Sequence, residues 1–517
     1  MFVKDIKNDF YNKLLGNRVL LLVHYDVDAV CACKILQSLF KCDNILYTLI
    51  PVGGISELKS AYEENHEEIR YVVLVNCGGT IDLVDILQPE EEVVFFVIDS
   101  HKPTNVCNVY SDGQVRLVWK DEEEDIPNFD DIFRDDEDEE EEPSSENLEE
   151  TITRRRQKRA WEENRDKLMF EYTKFSYYGQ PSSCTVCVLA WKLSRLSVEL
   201  GWSSVVGLLS ADVGCTRSPT QQLLARHELT SMLQQTGGEE SATICLEKDL
   251  WLPLYRLWSL ESALRYSPTA APRLKMHTRA GDIRLRKLFA DTGIPLQQAR
   301  QAYRSMDVSL RNSLLEALEG DRVPGLTQSG FLLKRRFSPT LAAHDMVYIL
   351  LALLENDKFP KAEGFSLALD ALSVWEGESS RQLGSDLAKS RLRHISSIVS
   401  SSVLNLAGPF TYLIVQEGTL ESSSVSGPHW LSVCGRWVSA SSPARPLLLS
   451  APRPPSHCLL AGIPPRQEPH NLFGAAFEQA ATSSGCSVSL DHLDSSVVTL
   501  PTSQRAQFLD ALTHLLT

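Results

Sequence analysis

Residues 18–37 read RVLLLVHYDVDAVCACKILQ, and this stretch decides the fold class. Its first part, from Arg18 to His24, is short, apolar and nearly continuous, as is typical of a strand buried on both faces of a parallel sheet. From Val30 to Phe40 the apolar residues recur three and four positions apart, which predicts an amphipathic helix. A strand followed at once by a helix is the repeating unit of a doubly wound α/β domain.

The same alternation continues along the chain. Further strands are predicted over Asn44–Val52, Tyr71–Val75, Val93–Ile98 and Val205–Val213. Further helices are predicted over Ser56–Asn65, with Ser56 as N-cap, and over Cys184–Glu199. Because ligands of open parallel sheets bind beyond the carboxyl ends of the strands, we expect functional residues directly after these runs.

Polar residues do follow the runs. They are Asp26, Asp28, Asn76, Asp99, Ser100, His101 and Asp212. Carboxylates at the end of a buried strand are costly unless a cation or a hydrogen-bond donor meets them. These acids are therefore either ligands of a hard divalent metal or caps of helices and turns, and capping is the more frequent role.

Taken together, HYDVDA (24–29), NCG (76–78), DSH (99–101) and LLSADV (208–213) resemble the motif set of the DHH phosphoesterase superfamily, especially the RecJ exonucleases. The resemblance implies an α/β fold with a DHH-type doubly wound parallel sheet, a central helical insertion and a C-terminal DHHA1-like α/β domain. In active members these positions hold two manganese or magnesium ions that activate water.

Several motif positions depart from that pattern. His24 stands where the family has an acid, Asn76 replaces the bridging carboxylate, and Ser100 replaces a histidine. The glycine-rich substrate loop is replaced by GIPPRQEPHNLFGAAFEQAA (462–481). Two divalent ions need several anions around them, so the resemblance implies a pseudo-enzyme with no catalytic residue, no bound metal and no cofactor. The alternative is an active metal-dependent exonuclease or phosphoesterase.

Composition changes sharply at residues 121–150, where eighteen of thirty residues are acidic, and this predicts a disordered insert. A basic run follows: Arg154, Arg155, Arg156, Lys158 and Arg159. It is either a nuclear localisation signal or a solvated helix start, and the two are compatible. We predict a degenerate DHH domain over 1–230, a mainly helical region over 231–401, and the DHHA1-like domain over 402–517.

Within these regions, helices are predicted from about Leu246 to Leu318, over Ala342–Ser401 and over Ser503–Leu516, and strands over Phe410–Val415 and Cys458–Ile463. Residues 417–455 have weak periodicity and receive no prediction. The pair Cys184 and Cys187 lacks the further ligands of a zinc site and is expected in a core.

The formal net charge of −17 argues against a protein that coats duplex DNA. It leaves room for a local groove to which Lys334, Arg335 and Arg336 could belong, although an exposed basic triplet is more often a solvated surface. The N-terminal residues do not form a secretory signal, and no apolar run is long enough to cross a bilayer. We therefore expect an intracellular protein with no membrane contact.

The phrases DVDAVCACKILQ, VNCGG, VDILQP, FDDIFRD and NLFGAAFEQAA resemble the eukaryotic cell division control protein 45 family over nearly the whole chain. This resemblance implies a non-catalytic subunit of the replicative helicase, required for initiation and elongation of DNA replication. The implied partners are the MCM helicase ring, the GINS complex, other replication-fork proteins and, weakly, single-stranded or fork DNA. The implied location is the nucleus.

Overall fold

The structure is a computed structural model that describes residues 1–111, 113–134, 148–214, 217–235, 241–319, 323, 325–440, 445–465 and 470–517. Its first sheet is wholly parallel, with strand order β2-β1-β3-β4-β6. The strands are β1 Arg18–His24, β2 Leu46–Val52, β3 Tyr71–Val75, β4 Val94–Ile98 and β6 Val115–Leu117, while the short β5 His101–Lys102 pairs outside this sheet with β7 Tyr177–Tyr178. The predicted α/β class with a parallel sheet is confirmed.

Helices cover both faces of this sheet. The N-terminal half contributes a π-helix at Ile6–Tyr11, α1 Asn12–Leu14, α2 Val27–Cys42, α3 Ile55–Asn65, α4 Leu83–Leu87, α5 Val106–Tyr110, α6 Phe129–Ile132, α7 Leu148–Thr173, α8 Ser182–Lys192, α9 Val198–Gly214 and α10 Pro219–Gln235. One apolar core joins the sheet to α2, α8 and α9, and a second lies between the opposite face and α3 and α4. Both faces of the strands are therefore buried, which explains their continuous apolar runs.

The prediction of a strand at Val205–Val213 is wrong, because these residues lie in α9. The helix is buried on all sides over Leu200–Leu209, a stretch in which only Ser203 and Ser204 are polar, so it shows no amphipathic period. A short apolar run of this kind cannot be distinguished from a buried strand by periodicity. The helix predicted over Cys184–Glu199 is in fact two helices, separated where Ser194 adopts a left-handed φ of 56°.

The N-cap of α3 is Gly54 rather than Ser56. Ser56 lies inside the first turn, and its backbone N–H and hydroxyl both donate to Asp491 Oδ1, at 2.7 and 2.8 Å. Asp491 is 435 residues away in the sequence, so local sequence could not reveal this contact.

The disordered insert was predicted over residues 121–150, and this predicted start is too early in the chain. Glu124 is buried, and its carboxylate accepts hydrogen bonds from Lys102 Nζ at 2.7 Å, Thr104 N at 2.6 Å and the hydroxyl of Tyr172 at 2.9 Å. A buried lysine partner lets one acid of an acidic run fold onto the core. Residues 148–150 begin a helix, and residues 135–147 lie outside the described residues.

The central region contains a three-stranded antiparallel sheet that sequence patterning missed, of order β10-β9-β8. Its strands are β8 Ala242–Leu250, β9 Thr327–Arg335 and β10 Ser338–Ala342. The predicted helical start at Leu246 is therefore wrong. The helices of the region are α11 Leu260–Arg265, α12 Ala270–Leu274, α13 Arg279–Asp291, α14 Leu296–Arg300, α15 Val308–Leu318, α16 Ala343–Leu354, α17 Lys361–Ala371 and α18 Glu378–Ser401, with 3-10 turns at Tyr255–Leu257 and Tyr303–Ser305.

The C-terminal sheet has order β11-β12-β13-β14-β15, and only its β12–β13 pair is parallel. Its elements are β11 Asn405–Ala407, β12 Phe410–Ile414, α19 Leu420–Ser423, α20 Pro428–Ser439, β13 Leu447–Arg453, β14 His457–Ile463, α21 Phe473–Ser484, β15 Val497–Pro501, a 3-10 turn at Thr502–Gln504 and α22 Arg505–Leu516. Residues 417–455, which received no prediction, thus supply the helices α19 and α20 and the central strand β13, and Trp430 and Trp437 of α20 are buried in the core. Among the described residues, no helix combines the length and the apolar character that crossing a bilayer requires.

Candidate functional site

Six of the seven motif residues meet at the carboxyl edge of β1, β3 and β4. Asp26 and Asp28 follow β1, Asn76 follows β3, and 99–101 follow β4. Hydrogen bonds among their side chains connect most of them into one cluster, which we call the strand-end cluster: Asp26, Asp28, Asn76, Asp99, Ser100 and His101. The prediction that polar residues after successive parallel strands lie together holds for these six.

The amide of Asn76 connects the two carboxylates of the DxD sequence. Its Nδ2 lies 3.1 Å from Asp26 Oδ2, 3.3 Å from Asp26 Oδ1 and 3.2 Å from Asp28 Oδ2. The space between the two acids is therefore occupied by an N–H donor. Hydrogen bonds to ionised acceptors are stronger than neutral ones, so this amide stabilises both charges.

The other end of the same amide accepts hydrogen bonds. Asn76 Oδ1 receives the Ser182 hydroxyl at 2.6 Å, the backbone N–H of Ser100 at 3.1 Å and its hydroxyl at 3.3 Å. Only a side chain that both donates and accepts can make all these contacts. The residue also has φ of 53°, a left-handed conformation that asparagine tolerates better than most residues.

Asp28 is held by the N-terminus of α8. The backbone N–H groups of Ser182 and Ser183 donate to its two carboxylate oxygens at 2.7 and 3.0 Å, and the Ser183 hydroxyl donates as well. The positive end of a helix favours a carboxylate here. Burial, and then the neighbouring charge of Asp26, nevertheless raise the pKa of Asp28 to about 6.

Asp26 caps the helix that follows it. Its Oδ1 accepts the backbone N–H of Ala29 at 2.7 Å, and its Oδ2 lies 2.9 Å from His24 Nδ1. Burial alone would raise the pKa of Asp26, but the hydrogen bond and charge of His24 outweigh it and leave that pKa lowered. The capping interpretation of this residue is therefore confirmed.

Asp99 and His101 form a buried ion pair. His101 Nδ1 lies 2.7 Å from Asp99 Oδ1, and Asp99 also accepts the backbone N–H groups of Gly79 at 2.7 Å, His101 at 2.9 Å and Gly78 at 3.1 Å. Burial opposes both charges, yet their mutual attraction and these bonds lower the pKa of Asp99 to about 2 and raise that of His101 to about 9. Both groups are charged at neutral pH.

The strand-end cluster does not fit the pair of metal ions that the DHH resemblance implies. The carboxylate oxygens of Asp26, Asp28 and Asp99 already accept protein N–H or O–H groups, and an amide nitrogen lies between the first two. Within the described ranges, no three His, Cys, Asp or Glu side chains are grouped so that they could hold a metal ion.

Asp212, the seventh motif residue, does not join the strand-end cluster. It lies in α9, where its buried carboxylate pairs with Arg226 of α10. Its placement at a strand end depended on the wrong strand prediction for Val205–Val213. Burial nevertheless keeps its pKa raised despite the nearby arginine.

Sequence reasoning missed the residues that complete this site from distant elements. Ser182 and Ser183 begin α8 directly after Pro181, and a serine pair before an apolar run is a signal for a helix start. Tyr178 donates its hydroxyl to Asp494 at 2.9 Å, and His429 Nε2 lies 3.2 Å from the Tyr25 carbonyl. No local pattern marks Asp494 or His429.

The candidate basic segments lie elsewhere on the surface. Arg155, Arg156 and Arg159 are exposed on α7, Lys158 is partly exposed, and the side chain of Arg154 lies outside the described residues. In the second segment, Lys334 pairs with Glu247, and Arg335 donates to the Val374 carbonyl at 2.9 Å. Of that triplet only Arg336 has an exposed side chain with no hydrogen bond or ion pair to another described residue, so the segment does not present three available cations.

Three comparisons relate the chain to known proteins. A family model described as CDC45 matches residues 19–152 and 127–382. The cell division control protein 45 homologs of Mus musculus and Homo sapiens are each 36% identical over 573 residues, covering 100% of both chains. The crystal structure of CDC45 from Entamoeba histolytica aligns over 99% of both chains with a TM-score of 0.74 at 19% identity, which shows a shared fold.

Proposed function

The chain belongs to the CDC45 family, and we propose that it is a non-catalytic subunit of the eukaryotic replicative helicase, joining the MCM ring to the GINS complex. The family's curated members are named cell division control proteins, and the chain has this general role in replication and the cell cycle. Its helicase partners, its contact with DNA and its loss of catalysis are the proposal.

One observation carries the non-catalytic part of the proposal: the Asn76 amide lies between Asp26 and Asp28, with Nδ2 3.1 to 3.3 Å from their oxygens. Metal-assisted hydrolysis needs a cation at such carboxylates to activate water. An N–H donor supplies neither the charge nor an open coordination position. Further hydrogen bonds from Ser182 and Ser183 connect the N-terminus of α8 to Asp28 and Asn76 at the ends of β1 and β3.

A scaffold subunit should expose side chains that become buried on assembly. Phe337 is 91% exposed at the β9–β10 turn, Trp375 is 53% exposed, and Leu406 of the edge strand β11 is 72% exposed. Aromatic anchors of this kind are enriched at protein interfaces. These exposed side chains support a role in assembly with other proteins. A stable protein–protein interface buries more than about 1,000 Å² of surface.

Reconstitution with the MCM ring and GINS tests the proposal directly. We expect fork unwinding to fall to the level of the MCM ring alone when this chain is omitted, and the three components to co-elute only when it is present. Unwinding that is equal with and without the chain would contradict the proposed role.

We further expect no exonuclease turnover on 5′-labelled single-stranded DNA in 5′-end release assays with manganese. Asp28→Ala should leave any trace signal unchanged, because a contaminant rather than this chain would produce it. The matched control is Asp307→Ala, an exposed helix cap far from the strand-end cluster. Turnover abolished by Asp28→Ala but not by the control would establish the alternative, an active metal-dependent nuclease.

Binding of single-stranded or fork DNA is proposed to be weak. The net charge of −17 opposes contact with phosphates, and the Lys334–Arg336 segment offers little free charge. The slope of affinity against salt concentration scales with the number of phosphates neutralised, so affinity should be low and should fall only shallowly as salt is raised. It should rise when the chain is assembled with its partners.

The basic run on α7 is proposed as the signal that brings the chain to the nucleus. Replacing Arg155, Arg156 and Arg159 with glutamine should reduce nuclear accumulation of a fluorescent fusion several-fold, because import receptors recognise clustered positive charge. Arg284, Arg286 and Lys287 are exposed on α13 and give a matched control with the same loss of three charges. If both triple variants reduced nuclear accumulation equally, the lost net charge rather than the basic run on α7 would be the cause.

A further inference from the structure

A cavity opens at the surface beside the C-terminal part of α7. Its volume is about 650 Å³, and its walls come from residues 123–131, α7, the segment around β7, the start of α10 and His470. We call it the acidic–aromatic pocket after residues that border it: Glu123, Asp125, Asp131, Glu171, Tyr172 and Tyr177. Pockets of roughly 300–1,000 Å³ accept ligands of drug size, so side chains of a bound peptide can enter.

The aromatic rings of the pocket are held in place by their own contacts. The hydroxyl of Tyr172 donates to the buried carboxylate of Glu124 at 2.9 Å. The ring of Tyr177 lies 5.2 Å from the ring of His470, and β7, to which Tyr177 belongs, pairs with β5. Both tyrosines nevertheless remain partly exposed. A ring that is already fixed can bind a ligand with little further loss of side-chain entropy.

Carboxylates border these rings, and no described lysine or arginine lines the pocket. The carboxylates are those of Glu123, Asp125, Asp131 and Glu171. Within the described residues, none of the four forms an ion pair, although Glu123 accepts a hydrogen bond from Gln221. Acids on a flat surface are ordinarily only solvated. Here they stand at the edge of a cavity with aromatic walls, and that combination is selective for a class of ligand.

The ligand class that fits this environment is a cation. Burial raises the pKa of Tyr177, and the charges of Glu124, Asp121 and Glu123 raise it further, so the potential at this wall is negative. The face of an aromatic ring attracts cations, most often arginine. A planar guanidinium can lie against a ring while its N–H groups donate to carboxylates. The same negative potential repels phosphates, which excludes a nucleic acid as the ligand.

No described cation of the chain itself fills the pocket. Lys174 is close in sequence, but it is not a lining residue, and its Nζ lies 5.3 Å from the centroid of the Phe175 ring. The basic run of α7 stands on the same helix as Glu171. At 1.5 Å per residue, Arg159 is roughly 18 Å from Glu171 along the helix axis, and a continuous helix cannot fold back on itself. The cations of the described segments therefore leave the pocket to another molecule.

From these observations we propose that the acidic–aromatic pocket binds an arginine-bearing segment of a partner protein. A guanidinium of the segment lies against the rings of Tyr172 and Tyr177, and the carboxylates of Asp125 and Glu171 accept its N–H groups. Complementary charge then selects the partner and speeds its association. This site goes beyond the proposed helicase role, and its test requires neither the MCM ring nor GINS.

The test measures binding of labelled peptides to the full chain by fluorescence anisotropy at low salt. The probe is a glycine–serine peptide that carries two arginines, and matched probes replace both arginines with lysine or with neutral citrulline. We expect the arginine peptide to bind, the lysine peptide to bind a few-fold more weakly and the citrulline peptide at least ten-fold more weakly. Added salt should weaken the arginine peptide, because salt screens exposed charges.

Variants locate the binding in the pocket. Asp125→Asn combined with Glu171→Gln should weaken the arginine peptide at least ten-fold. The matched control, Glu363→Gln combined with Glu376→Gln, removes two exposed acids elsewhere and should change the affinity less than about two-fold. Tyr177→Leu should weaken the peptide roughly five-fold, whereas Tyr177→Phe keeps the aromatic ring and should bind it as the parent does.

The acidic run of residues 135–142 is removed in a separate variant, because a run of acids attracts any cationic peptide. Replacing its eight acids with serine should leave the affinity for the arginine peptide within about three-fold of the parent. The loss caused by Asp125→Asn with Glu171→Gln should persist in that background.

Three results would overturn the proposal. One is that the arginine peptide binds no more tightly than the citrulline peptide. Another is binding that depends on residues 135–142 and not on Asp125 and Glu171. The third is self-association of the parent chain that disappears when Arg155, Arg156 and Arg159 are replaced with glutamine, which would make a second copy of this chain the occupant.

Discussion

Replacing Asn76 with aspartate should destabilise the folded chain by about 3–5 kcal/mol at pH 7, the cost of an uncompensated buried charge. The present amide donates to Asp26 and Asp28, whereas a carboxylate would place a third negative charge against them. The aspartate carboxylate would still accept the hydrogen bond of the Ser182 hydroxyl. The variant therefore changes the charge of the side chain while keeping its shape. The measurement is chemical denaturation in the presence of a chelator.

The same variant should respond to pH and to metal. Burial beside two acids raises the pKa of a carboxyl group, so the folded state would bind the proton more tightly than the unfolded state. The destabilisation should therefore grow as pH rises above about 4 and shrink below it. Manganese should restore part of the lost stability, because three carboxylates now surround the space that the amide nitrogen occupied.

Asn76→Ala is the control for this experiment. It removes the hydrogen bonds without adding charge, so it should destabilise the chain without any response to manganese, and a left-handed φ adds some strain for alanine. If Asn76→Asp were as stable as the parent chain in chelator, the amide would not be the group that neutralises the two acids.

His101→Gln should cost about 3 kcal/mol of unfolding free energy at neutral pH. The pKa of His101 rises from 6.5 to about 9 in the folded chain, and each pKa unit corresponds to about 1.4 kcal/mol. The side chains of His101 and Asp99 are 11% and 5% exposed, so solvent screens the pair little. Glutamine leaves the carboxylate of Asp99 buried with backbone donors only.

The pH dependence has a defined sign. Because the folded pKa of His101 is raised, its stabilising contribution is complete below pH 6.5 and is lost as pH rises through about 9. The pKa of Asp99 is lowered instead, so its contribution to folding stability is present above pH 3.8 and is lost as pH falls through about 2. The parent chain should therefore lose stability between pH 6.5 and 9, and His101→Gln should lose less over that interval.

His277→Gln, at an exposed histidine of the central region, is the matched control. It should leave both the unfolding free energy and its alkaline pH dependence unchanged. A His101→Gln variant with the same alkaline slope as the parent would mean that the pair is not the source of that slope.

The acids of the strand-end cluster take part in hydrogen bonds that connect elements distant in sequence. Each carboxylate that a metal would have neutralised is met by donors of the protein: the Asn76 amide, the N-terminus of α8 and the turn at 78–79. These donors come from parts of the chain far apart in sequence. Buried polar networks whose members are all satisfied favour one arrangement of the elements that supply them. A fixed arrangement of these elements supports the non-catalytic role that we propose for the chain.

The sequence by itself determined four of the five strands of the first sheet and six of the residues at its edge, while β6 was not predicted. Arg18–His24 and Tyr71–Val75 are strands over the predicted residues, because a strand buried on both faces is apolar without interruption and ends where polar residues begin. The parallel order of those strands then brings Asp26, Asn76 and Asp99 to one edge, as the topology rule requires.

Only the tertiary structure decided what those residues do. Asp28 receives its donors from Ser182 and Ser183, which are 154 and 155 positions away, and Asp212 leaves the cluster because its segment is a helix. A helix buried on all sides has the same apolar composition as a buried strand, so local pattern cannot separate them. Contacts between distant segments depend on packing in three dimensions, which is why the hydrogen-bonded state of the acids was not visible in the sequence.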